Sequence, residues 1–381
     1  MLEQVKFKSF KSFSKETIIS CIPTKSEILS ESNTYNDILK GCAFYGSNAS
    51  GKTNALTSIT LLLDLLFTDV PLFGLHSFFN DDEYLSFEYK FNINKNIIVY
   101  SFSIKRDGTI FKEKLTSNEN IYLNRIGLSA ESNITENKLY DHNDITDKTL
   151  FLKNIYFNTK FAGYKDLIDW YDYLKNSIYL NPARQASGQI VNFDKTQNDI
   201  FLMDYLDKNG TEEINNFLIE FNFPYTIKYN RSTNPIDRLI SFSQRLYLIR
   251  KNMKPIPYLL ESYGNQVLLK LLPSILKVCK TGGMLAIDEF SSGLHNKLEE
   301  LLIKYIFNHS TNVQLFFVSH STNLLKTSLL RPDQIYSVDF DEYGSLLYKF
   351  SDEHPRESQN LEKMYLSGVF RGIPLYNENK N

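Results

Sequence analysis

The sequence predicts an α/β fold built on parallel strands, with an antiparallel β lobe beside the first strand and a helical segment inserted before the last ones. Three observations predict it. Short apolar runs at 41–46, 284–290 and 313–320 each end in glycine, acidic or other polar residues, as strands buried on both faces do. Two stretches, "YLSFEYKFNI" and "NIIVYSFSIK", alternate apolar and polar residues like half-buried antiparallel strands. From 164 to about 260 the pattern is mostly helical.

The elements follow in order. "LEQVKFKSFKSF" alternates with period two and reads as a half-buried strand. "GCAFYG" is a buried strand that ends in a glycine loop, and from Gly51 the apolar residues Leu56, Ile59, Leu63 and Leu66 recur at helical spacing. After the two alternating strands, "RDGT" is a hairpin turn into a third strand, "IFKEKLT". Residues 127–150 are polar and rich in Asn and Asp, a surface excursion. The helical stretch is broken by "NPARQASG" and "NFPYTIKYN". Beyond "TGG" come the strand "MLAIDEF", the helix "NKLEELLIKYIFN" and the strand "VQLFFVSH". The expected division is 1–160 for the first half of a core with its lobe, 161–258 for an inserted helical arm, and 259–381 for the second half of the core.

Composition bounds the partners. The 381 residues could hold two or three average domains, or one large domain with an insertion. Hydrophobic content of 42%, with 28 Phe and 24 Tyr, supplies a core and excludes a disordered chain. A net charge of −2 argues against a surface given over to nucleic acid and leaves room for a local basic patch. Cys21, Cys42 and Cys279 have neither metal-ligand spacing nor a disulfide framework and read as inert thiols of a reducing cytosol. "ITLLLDLLF" contains Asp64 and is about half a membrane span. The N-terminus lacks the continuous apolar stretch of a signal peptide. The expected location is the cytoplasm, without a membrane partner.

The stretch "FYGSNASGKTN" carries the strongest chemical signal. Gly46, Gly51, Lys52 and Thr53 meet the spacing G-x-x-x-x-G-K-[ST], between a strand and a helix as a phosphate cradle requires. Backbone N–H groups from Gly46 through Ser47, Asn48, Ala49, Ser50 and Gly51 would converge on phosphate oxygens, at the positive end of the helix that continues through Asn54. Lys52 would reach the β- and γ-phosphates of ATP, and Thr53 would place its hydroxyl on Mg²⁺. Asn48 and Ser50, small and polar, would keep the cradle open. In "MLAIDEF", Asp288 and Glu289 end a buried strand. Asp288 is placed to hold the magnesium, and Glu289 to orient or deprotonate the attacking water. His320, at the tip of "LFFVSH", could donate to the γ-phosphate and sense its loss. Ser262 and Gly264 open a strongly apolar helix in "ESYGNQVLLKLL". Alone, Ser262 is a helix cap; the same helix N-terminus also suits an anion.

The order "GSNASGKT", "SYG", "AIDEF", "SGLH", "VSH" resembles ABC-type ATPases of the SMC, RecF and OLD kind, and "VKFKSFKSF" looks like their N-terminal strand. "RPDQIYSVDFDEYGSLLYKFSD" and "EKMYLSGVFRGIP" look like the stand-alone ATPases of bacterial abortive-infection and anti-phage operons, including the PARIS ATPase. The resemblance implies an ABC-type phosphate-loop fold and a homodimer or higher homo-oligomer. Ser262 and Gly264 of one subunit would contact the γ-phosphate held at Gly51 to Thr53 of another. Ser292 and His295 of "SSGLH" would cross the same interface. Two departures stand out. These ATPases usually carry a glutamine between the phosphate loop and the arm that completes the magnesium site, but no Gln occurs from Val5 to Arg184, so the lobe around "PLFGLHSFF" either does without it or uses His76. Ser321 stands where relatives often have Asp. Both departures bear on the speed of turnover.

Three functions fit these residues. The leading one is an ATP-hydrolysing switch of bacterial phage defence that controls a separately encoded toxic effector, a nuclease, because no second catalytic constellation stands out in the chain. A phage protein or DNA would be its trigger. The second is a RecF- or SMC-like repair or maintenance ATPase that binds DNA directly. Its carrier would be 228–254, where Lys228, Arg231, Arg238, Arg245, Arg250, Lys251 and Lys254 face Asp237 alone, with Phe242 and Tyr247 between them. The third is a nucleotide-locked scaffold that scarcely hydrolyses ATP.

Overall fold

The computed structural model describes residues 1–135, 138–141, 144–182, 189–193, 201–231, 245–310 and 312–373. The chain opens with β1 (Leu2–Lys8) and β2 (Thr17–Ser20), and β3 (Gly41–Gly46) then leads through the glycine loop into α1 (Lys52–Phe67). A meander follows: β4 (Tyr84–Ile93), β5 (Asn96–Lys105), β6 (Ile110–Ser117), β7 (Asn120–Ile126), β8 (Ser129–Ser132) and β9 (Lys138–Tyr140). Next come α2 (Phe151–Thr159), α3 (Lys165–Lys175), β10 (Ile178–Asn181) and β11 (Gln189–Asn192). Two short helices, α4 (Leu202–Asn209) and α5 (Glu212–Glu220), precede a small sheet of β12 (Thr226–Tyr229), β13 (Leu246–Ile249) and β14 (Ile256–Pro257). The rest is α6 (Tyr263–Thr281), β15 (Gly283–Ile287), α7 (Asn296–His309), β16 (Val313–Val318), β17 (Ile335–Asp341), β18 (Gly344–Lys349) and α8 (Leu361–Leu366).

Two sheets carry the architecture. The eight-stranded antiparallel one runs β9-β8-β7-β6-β5-β4-β1-β2, and the seven-stranded one runs β11-β10-β15-β16-β3-β17-β18. In the second, β10, β15, β16, β3 and β17 pair in parallel, with an antiparallel strand at each edge. The period-two alternation of a strand divides its residues between two cores. Along β3, Cys42 and Phe44 join the core shared with α1, α3 and the antiparallel sheet, while Ala43 and Tyr45 join the core under α6 and α7. Strands covered on both faces are largely apolar, which is why β3 and β15 read as apolar runs and β16 as one broken only by Gln314, whose amide donates to the Leu2 and Leu39 carbonyls.

Two expectations are corrected. The polar stretch 127–150 contains β8 and β9, which extend the antiparallel sheet as short strands whose alternation is too brief to read. The described part of 161–258 is not a separate helical arm. β10 is an inner strand of the seven-stranded sheet, α3 packs in the core it shares with the antiparallel sheet, and α4 and α5 bury Leu202, Leu206, Phe217 and Leu218 in the other core. Two four-residue strands, β10 and β11, are too short to interrupt the helical periodicity of the segments on either side.

Candidate nucleotide site

Parallel strands bring their carboxyl ends to one edge of a sheet, the place where open α/β sheets bind ligands. Here β3 delivers Gly46, β16 delivers Ser319 and His320, β15 delivers Asp288 and Glu289, and β10 delivers Asn181. The loop between β3 and α1 is held from outside. Ser345 Oγ lies 2.6 Å from the Ser50 carbonyl and 2.7 Å from Ser12 Oγ, and Asn54 Nδ2 donates to the same Ser12 oxygen at 2.8 Å. Gly51, at the N-cap of α1, has φ +108°, and a Cβ there would come within 2.2 Å of Ser345 Oγ. Only glycine fits. Ser50 departs from expectation, because its side chain is wholly buried beneath the loop and does not line the cradle. Ser47 is half-buried, whereas Asn48 and Ala49 are exposed at the turn. Lys52 Nζ donates to the carbonyls of Gly46 (3.1 Å) and Ser47 (2.7 Å), so its ammonium lies along the loop. Burial lowers the Lys52 pKa, against the pull of Glu289 and Asp288.

The carboxylates face the loop. Thr53 Oγ1 is 3.2 Å from each carboxylate oxygen of buried Asp288, and Asn181 Nδ2 donates to Asp288 Oδ2 at 3.1 Å. The backbone then turns sharply: Glu289 has φ +56°, and its side chain is partly exposed. His320 Nε2 lies 3.9 Å from Glu289 Oε1. Burial, and then the Lys52 charge, lower the His320 pKa, and the two acids only partly offset them, so the neutral ring predominates at pH 7. This donor set fits a nucleoside triphosphate with a hard divalent cation: a glycine loop braced so closely that Gly51 admits no Cβ, a lysine along it, and a hydroxyl with a carboxylate for the ion.

Ser262 and Gly264 sit at another corner. Exposed Ser262 caps α6 by accepting from the Asn265 N–H at 3.5 Å. A Cβ on Gly264 would stand 2.7 Å from the Gly293 carbonyl, so glycine here lets the turn after Glu289 pack against the helix. In that turn the Ser292 N–H donates to the Glu289 carbonyl (2.9 Å), and His295 Nδ1 caps α7 by accepting from the Lys297 N–H (3.2 Å). Among the described residues, neither Ser262 nor Gly264 is hydrogen-bonded to the chain's own phosphate loop.

Three expected residues lie elsewhere. His76 is buried in the lobe, where its Nε2 accepts from the Leu85 N–H at 3.1 Å, and it does not stand in for a magnesium-site glutamine. Within the basic stretch, buried Arg245 lies over the Tyr229 ring, and Arg250 forks onto Glu261. Arg238, Asp237 and Phe242 fall outside the described residues. The residues that sequence reasoning missed are Asn181, Ser12 and Ser345. Of these, only Asn181 left a trace, as the polar end of "SIYLN".

Comparison with known proteins bears on the fold and the family. A family profile described as "AAA domain, putative AbiEii toxin, Type IV TA system" matches residues 42–326. A search of curated proteins returns no match. Among solved structures, the chain is similar to an Smc head bound to the C-winged helix domain of ScpA, at 14% identity and a TM-score of 0.52, covering 91% of this chain and 96% of that one. It is also similar to the SMC head domain from Thermotoga maritima, at 15% identity and a TM-score of 0.49, covering 91% and 98%. The fold is that of an ABC-type phosphate-loop ATPase domain. Among the described residues, no helix is long and apolar enough to cross a membrane.

Proposed function

The chain belongs to the AAA_21 family, and from that premise we propose that it is an ATP-hydrolysing switch of a bacterial anti-phage system, akin to the PARIS ATPase. It would hold or release a separately encoded effector, a nuclease, when a phage protein or DNA is sensed. One observation carries the reading: Thr53, Asn181 and Asp288 converge by hydrogen bonds at the strand rim, where Glu289 and His320 face each other at 3.9 Å.

The residues take complementary roles. Lys52 exchanges the loop carbonyls for phosphate oxygens and neutralises their charge. Magnesium, held by Thr53 and Asp288, would supply Lewis-acid stabilisation of the charge on the transferred phosphoryl group. Glu289 orients the attacking water and takes its proton. Neutral His320 donates a hydrogen bond toward the γ-phosphate. Ser262 and Gly264, at an exposed helix N-terminus, would complete the site of a second copy, so that ATP joins two chains and its hydrolysis loosens them.

The test has two parts. Purified protein should turn over ATP, and Glu289→Gln should slow it by roughly 100-fold or more. Equal, near-zero rates would leave only a nucleotide-locked scaffold. Co-expression with the neighbouring gene should protect cells from phage, and the two proteins should co-purify. Failure of both removes the defence role. Direct DNA binding through 228–254 is the weaker reading, since Arg245 and Arg250 are engaged inside the fold.

A further inference from the structure

Glu299 is a buried carboxyl that the mechanism above leaves unused. It sits in the first turn of α7, is 1% exposed, and has no lysine or arginine beside it among its described interactions. Its surroundings are three strand ends. Ser291 follows Glu289 by two residues, and Ser321 follows His320 directly. Both hydroxyls stand beside the Glu299 carboxyl and favour its charged form. Neither forms a hydrogen bond to it: Ser291 pairs with Ser319, and among the described residues the Ser321 Oγ and both buried Glu299 oxygens have no hydrogen-bond partner. Ser319 Oγ also accepts from the Ser321 N–H at 2.9 Å. Buried Tyr45, next to Gly46 on the phosphate-loop strand, feels the Glu299 charge, and its phenol oxygen has no hydrogen-bond partner among the described residues. The remaining charged neighbours are His295, which favours the ionised carboxyl, and Glu300, which opposes it.

A carboxylate shut away from water and short of donors is costly. Burial accordingly raises the Glu299 pKa. As a carboxylic acid it could donate to one serine and accept from the other, joining the segment after Glu289 to the segment after His320.

We propose that Glu299 is a positioning residue: through Ser291, Ser319 and Ser321 it fixes the spacing of Glu289 and His320 across the nucleotide site. The proposal deepens the ATPase reading and rests on it for its catalytic consequence, but not for its structural one. A loss of register between two such groups lowers turnover without weakening ground-state binding.

Two measurements test it. With a fluorescent ATP analogue as probe, Glu299→Ala should bind nucleotide as the parent does, while kcat falls on the order of 100-fold. Glu299→Gln, which can still donate and accept, should restore kcat. Independently of turnover, the His320 imidazole titration, followed by NMR and assigned with His320→Gln, should move in Glu299→Ala toward the ordinary histidine range and stay in place in Glu299→Gln. If Glu299→Ala does not fold, the double variant Ser291→Ala/Ser321→Ala removes the hydroxyls beside Glu299 and must show the same changes. The proposal is overturned if kcat and the His320 titration both stay at parental values, or if nucleotide binding falls as far as kcat. A parent protein that never hydrolyses ATP would sink the ATPase reading, and the His320 titration would still decide this one.

Discussion

The phosphate-loop corner and the Ser262 corner of the molecule are held in opposite ways. The first is braced by Ser12 from the β1–β2 connection, by Ser345 from β18 and by the Asp288 strand, so its geometry is set before any ligand arrives. The second is an exposed helix start whose cap is a single 3.5 Å hydrogen bond, with Leu260 standing 76% exposed beside it. A pre-organised half binds with little further loss of conformational freedom. An exposed helix start is suited to a surface that arrives from outside. On the reading proposed above, that surface is the nucleotide held by a second copy.

Substitutions can break or sharpen this contrast. Lys52→Ala should have the largest effect and abolish nucleotide binding in an equilibrium titration. Retained binding would mean that backbone amides alone hold the phosphates. Ser262→Arg should next leave binding intact and abolish nucleotide-driven assembly, read as the ATP-dependent rise in mass by light scattering. Unchanged assembly and turnover would show that the exposed corner serves only as a helix cap. Asn181→Ala should lower turnover on the order of tenfold by removing one of the hydrogen bonds that orient Asp288, without loss of folding. The smallest effect is expected of Ser345→Ala, which should cost about 1 kcal/mol in denaturant unfolding because the Ser50 carbonyl loses its partner. If that variant is as stable as the parent, the braced corner owes its shape to Gly51 and the strands alone.

What could be read from the sequence follows the same divide. Gly46 to Thr53, Asp288 and Glu289 lie within short segments, where spacing and an apolar run suffice to identify them. Asn181, Ser12 and Ser345 act from strands far away in sequence, and nothing in "FKSFKS" or "YGSLLYK" says that two serine hydroxyls meet under a glycine. The fold was legible wherever periodicity ran long enough, as in β4 and β5. It was misread where β10 and β11, four residues each, follow a helix and precede another. His76 was drawn into the site by elimination, and the lobe holds it instead for a backbone amide of β4.

The left-handed backbone at Glu289 has a consequence for how this position can vary. Its φ of +56° suits glycine or asparagine better than glutamate, a mismatch of about 1 kcal/mol or more. Foldability and chemistry therefore ask for different residues at one point of the chain. A saturation library at 289 sorted for resistance to heat should fill with Gly and Asn, while the same library sorted for turnover should keep Glu. If both sorts return Glu, the conflict does not exist and the turn tolerates glutamate without strain.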